Sequence, residues 1–145
     1  MTKLKEYFNS NHESLYSICA GIIHADNVVE SGEIKYCFRL MQEMFGTEID
    51  FQRFNEIVSS FSSSDEINKH LMELKVTYDE NSYSNDDFEF LIIALIILGL
   101  SDLHLDEKEI EYLNLVGSYL NISGSKILEL INKTESLAEK LIPDK

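Results

Sequence analysis

At 145 residues the chain has the length of one domain, enough to bury a core without disulfide or metal staples. Hydrophobic residues make up 44% of it, which excludes a disordered chain. With 26 acidic against 12 basic residues the formal charge is −14, a field that repels phosphate backbones and anionic head groups. That argues against nucleic acid as a direct partner and for cations or basic protein surfaces.

The first residues, Met1 to Phe8, are basic but run into Asn9-Ser10-Asn11-His12-Glu13 instead of an apolar stretch, so no signal peptide is expected. The one proline is Pro143, and nothing upstream of it breaks a helix. Helical periodicity begins at once. Leu15, Ile18, Cys19 and Ile22 fall on one face, as do Ile34, Cys37, Phe38, Met41, Met44 and Phe45. Phe51, Phe54, Ile57, Val58 and Phe61 make a third such stripe, and Ile127, Leu130, Ile131, Ala138 and Leu141 a last one. No alternating strand pattern stands against them.

Cap signals mark the ends. Ser10-x-x-Glu13, Ser63-x-x-Glu66 and Asp106-x-x-Glu109 have the spacing of capping boxes, in which each side chain satisfies a free N–H of the first turn. Gly46 and Asn121 stand where helices should stop, and Ser123 where the last one starts. These signals predict a helix over 2–9 that continues or re-starts to 25, then helices at 32–45, 50–61, 64–78, 85–101, 106–120 and 124–141. The expected architecture is all-α, a single domain over residues 1–145 with about seven helices.

The helix at 85–101 differs from the rest. From Phe90 to Leu100 it is apolar all round, and a helix without a polar face belongs among other helices. It is too short to span a bilayer, and Asp86, Asp87 and Glu89 flank it, so no membrane insertion is expected. It reads as the central element, with Phe88 and Phe90 seating one end and Gly99 allowing close approach at the other. The two cysteines, Cys19 and Cys37, read as reduced core residues of a cytoplasmic protein.

The pattern that could carry function occurs twice. Asp26-Asn27-Val28-Val29-Glu30-Ser31-Gly32-Glu33-Ile34 and Asp102-Leu103-His104-Leu105-Asp106-Glu107-Lys108-Glu109-Ile110 share one frame of three acids and an isoleucine. Each copy links an apolar helix to an amphipathic one, so the chain reads as two pseudo-repeats around the central helix. Asp26 and Asp102 come just past a helix C-terminus, where the dipole disfavours a carboxylate. Glu30 with Glu33, and Asp106 with Glu109, are three apart in the first turn of the next helix and share a side of it.

Two readings of these six acids stand side by side. In one they are caps and Asx turns, the commonest use of such residues. In the other, Asp26, Glu30, Glu33, Asp102, Asp106 and Glu109 supply oxygen ligands for a hard divalent cation such as Ca²⁺ or Mg²⁺. An EF-hand is excluded, because Glu107 replaces its sixth-position glycine and Leu113 its twelfth-position glutamate, with Ser31 and Cys37 in the first copy. His24 and His104 occupy non-equivalent places in the repeat and read as ordinary helix-end or loop residues.

On these residues the chain resembles the TerB-like tellurite-resistance family. The resemblance runs over Ala25-Asp26-Asn27-Val28-Val29 with Glu30 and Glu33, and Ser101-Asp102-Leu103-His104-Leu105 with Asp106 and Glu109. It continues through Ile110, Leu113, Val116, Tyr119-Leu120-Asn121-Ile122-Ser123 and covers roughly residues 12–141. A similar helical domain precedes the J-domain in membrane-anchored co-chaperones. The glycine that follows the family's motif aspartate is Asn27 in the first copy and Leu103 in the second. The resemblance implies a seven-helix bundle, an acidic surface, divalent-cation binding and a role in tellurite or chemical-stress responses, in complexes near the inner face of the membrane.

The expected function is therefore a non-enzymatic acidic binding module that docks partner proteins, with or without a cation. The alternatives are a scaffold whose acids are purely structural caps, with Tyr7, Phe8, Tyr78 and Tyr83 as candidate docking aromatics, or a metal-dependent hydrolase. No nucleophile dyad or phosphate-cradling glycine loop accompanies the motifs to favour the last.

Overall fold

A computed structural model of the protein describes residues 2–25, 31–45, 48–60, 65–81, 85–100 and 105–141. Among these there is no strand, and the helices in chain order are α1 (Thr2–Ser10), α2 (His12–His24), α3 (Ser31–Phe45), α4 (Phe51–Ser60), α5 (Asp65–Asn81), α6 (Asn85–Gly99), α7 (Glu107–Tyr119) and α8 (Gly124–Leu141). The all-α expectation holds. None of these helices is long and apolar enough to cross a membrane.

The eight helices described agree with the expected bundle of about seven, the first segment taking its re-started form at Asn11. Its backbone is non-helical there (φ −138°, ψ 61°), and its side chain donates back to the Tyr7 carbonyl at 2.8 Å instead of capping α2. The Ser10–Glu13 box does not form: Ser10 is the last residue of α1, and Glu13 turns to Arg53 on α4, accepting from its Nε at 2.8 Å. The α4 start is held by Asp50, whose Oδ1 accepts from the Gln52 N–H at 3.1 Å. Ser63 and Gly46 lie outside the described residues.

The end of α7 follows its sequence signal. Asn121 has φ 60°, in the left-handed region that favours glycine and that asparagine tolerates. The next N–H, of Ile122, reaches the Gly117 carbonyl at 2.9 Å, closing the helix as a Schellman turn. Ser123 then opens α8, its hydroxyl accepting from the Lys126 N–H at 3.2 Å. Asn121→Ala is expected to lower stability by about 1 kcal/mol and Asn121→Gly to leave it unchanged or slightly raised. Urea unfolding of both variants checks this, and equal effects would contradict a left-handed stop.

Both α6 and α2 run through the middle. α6 packs against α1, α2, α3, α7 and α8, while α2 packs against α1, α4, α5, α6 and α7. The sequence reading expected only the first to be central, since α6 alone has an unbroken apolar run. Every residue from Ser14 to Ile23 is nevertheless buried. Off the stripe lie Ser14, Ser17, Ala20 and Gly21, small side chains that another helix can cover without stranding a charge, and Tyr16, whose hydroxyl accepts from the Asp50 N–H at 2.8 Å. Ser14 finds a partner in His70 of α5, at 2.8 Å between Oγ and Nδ1.

The aromatic ends also close inward. Phe88 is fully buried, and Phe90 stacks on Phe45 with ring centroids 5.5 Å apart. Tyr7 and Phe8, candidates for an exposed docking surface, are core residues instead. Phe8 meets Phe45 edge-on at 5.4 Å. The short α1 has one apolar stripe, Leu4 with Tyr7 and Phe8, and burying it is what holds the helix on the bundle. The Tyr78 side chain and Tyr83 lie outside the described residues.

Candidate functional site

The two motifs sit between α2 and α3 and between α6 and α7. Across them the packing is exchanged: α3 lies against α6, and α7 lies against both α2 and α6. The helix that follows each motif therefore touches the apolar helix of the other copy. Of the six candidate ligands, Glu33, Asp106 and Glu109 are described, while Asp26, Glu30 and Asp102 lie outside the described residues, as does His104. Among the described residues no group of three or more histidine, cysteine, aspartate or glutamate side chains is arranged to hold a metal ion.

The second copy forms the capping box its spacing implied. The Asp106 carboxylate accepts from the Glu109 N–H at 2.9 Å, and the Glu109 carboxylate accepts from the Asp106 N–H at 3.0 Å. Asp106 is exposed at the helix tip, but Glu109 is 7% exposed. What makes room for it is Gly99. A Cβ at that position would lie 2.7 Å from Leu105 Cδ2, 3.1 Å from Glu109 Oε2 and 3.3 Å from Ile22 Cγ1. The close approach expected near the end of α6 is thus made by the motif that follows it.

Glu109→Ala is expected to cost about 1–2 kcal/mol through loss of half the box, and Glu109→Gln clearly less, because an amide oxygen still accepts from Asp106. Thermal unfolding of the pair checks the ranking, and equal losses would mean that the charge, not the bond, is what the site needs.

Cys37 is where the two copies meet. It is fully buried on α3, and its thiol donates to the Leu98 carbonyl near the end of α6 at 3.8 Å. Burial, joined by the negative fields of Glu33 and Glu109, pushes the thiol up to about 12. The third acid of each motif therefore acts on the same side chain. Cys19 on α2 is raised further, by burial and then by Cys37, and the Tyr112 hydroxyl is raised well above its ordinary value by burial and then by Cys19. Both cysteines are free and buried, as the spacing suggested.

The sequence reading missed this meeting point, and it missed Tyr112. The Tyr112 hydroxyl donates to the Ile18 carbonyl of α2 at 2.6 Å, and its ring lies in the notch left by Gly21. A weak signal existed. Tyr36 and Tyr112 stand two residues after the shared isoleucines, yet Tyr36 is 45% exposed and Tyr112 only 9%. The repeat predicts equivalence, and the packing breaks it. His24 is a helix-end residue: its Nε2–H donates to the Val58 carbonyl at 2.5 Å and ties the end of α2 to α4.

Compared with protein-family models, with curated proteins and with solved structures, the chain finds a match in none of the three.

Proposed function

We propose that the protein is a non-enzymatic acidic binding module of the TerB-like type, working in the cytoplasm and docking basic protein surfaces through its two acidic motifs. The observation that carries the reading is the exchanged packing of the two copies, α3 on α6 and α7 on α2, with the Cys37 thiol of the first donating to the Leu98 carbonyl of the second. It favours the motifs acting as a pair on one side of the bundle. The formal charge of −14 supplies long-range attraction for a basic partner, and a divalent cation taken by Asp26, Glu30, Glu33, Asp102, Asp106 and Glu109 would be held by the same field. The role in tellurite or chemical stress, and assembly near the inner membrane face, follow from the family resemblance and are proposed with it.

The cation part is tested by titrating Ca²⁺, Mg²⁺, Mn²⁺ and Zn²⁺ while following melting temperature and amide resonances. The expected result is a stabilising response at millimolar metal, with shifts confined to residues 26–33 and 102–109. A flat response to all four ions removes direct cation binding. The docking part is tested by Glu33→Gln with Asp106→Asn, which delete charge but keep a competent cap, since asparagine caps as well as aspartate. Partners crosslinked to the wild-type protein should be lost at an unchanged melting temperature.

A second reading is favoured by the completed box of Asp106 and Glu109. In it the acids serve only the helix starts, and partners bind elsewhere. It expects the same double variant to keep its partners, with any loss confined to stability.

A further inference from the structure

We draw no further inference here: the strongest candidate, the groove of about 290 Å³ that Gly21, His24, Ala25, Lys108, Glu111 and Tyr112 help to line between α2 and α7, has a rim of mixed charge, and nothing in the structure shows what covers it.

Discussion

Raising the pH from 9 to 11 is expected to unfold the protein, and the two cysteines are expected to be a principal cause. In the folded chain the Cys37 thiol is pushed up to about 12 from an ordinary value of 9.0, and Cys19 is raised by the same burial. Below pH 9 both thiols are protonated in the folded and unfolded chains alike, and their contribution to stability is fully present. Above pH 9 the unfolded chain releases protons that the folded chain retains, so stability falls as pH rises towards the folded value. Each group then costs about 1.4 kcal/mol per pH unit. At pH 11 the two cysteines together remove about 5 kcal/mol, comparable with the whole stability of many domains. Tyr112, raised well above its ordinary value of 10.0, adds to the slope above pH 10.

The measurement is urea unfolding between pH 7 and 11 for the wild type and for a Cys19→Ala, Cys37→Ala variant. The variant loses some packing at neutral pH, so the quantity compared is the slope above pH 9. It should be about 2–3 kcal/mol per unit shallower once both thiols are gone. Equal slopes would overturn the account. The same burial predicts a chemical result. Cys37 in the folded chain should react with iodoacetamide at pH 8 about a thousandfold more slowly than in the unfolded chain, because the thiolate is the nucleophile.

Gly21→Ala is expected to destabilise the protein by about 3 kcal/mol, although alanine is the better helix former. The propensity gain is about 1 kcal/mol. Against it stands the Tyr112 ring, whose atoms occupy the space a Cβ would take. The ring is held by its hydroxyl bond to the Ile18 carbonyl at 2.6 Å, so it cannot swing aside without breaking that bond. Overpacking costs about 1–3 kcal/mol, and stranding a buried hydroxyl costs about as much again.

A double-mutant cycle separates the causes. On a Tyr112→Phe background the ring stays but no hydroxyl is left to strand, so the Gly21→Ala penalty should fall by about half. On Tyr112→Leu the obstructing ring is gone and the penalty should fall by more than half. A Gly21→Ala protein as stable as wild type would mean that α2 and α7 are not packed this closely.

How much of this was legible follows from the range over which each signal acts. The Asp106–Glu109 box joins residues three apart, and the Asn121 stop needs only a residue that tolerates a left-handed backbone. Both could be read from the chain and both formed. Ser10–Glu13 had the same spacing and did not form. Its outcome was decided by Arg53, 40 residues away, which pairs with Glu13, and by Asn11, which turned its side chain back to α1. A local signal failed where a distant partner competed for the same side chain.

By itself the sequence determined an all-helical chain, most of its helix limits, the apolar α6 and the repeated acidic frame, because periodicity and capping work through bonds within a turn or two. Only the tertiary structure decided the rest. It buried α2 on every side, took Tyr7 and Phe8 into the core, and placed Tyr112 inside while its counterpart Tyr36 stayed out. It also brought the fields of Glu33 and Glu109 onto Cys37, across two repeats that lie 76 residues apart in the chain. The physical reason is that burial depends on which helix covers which, and that choice is made by the sum of non-local contacts rather than by any short stretch of chain.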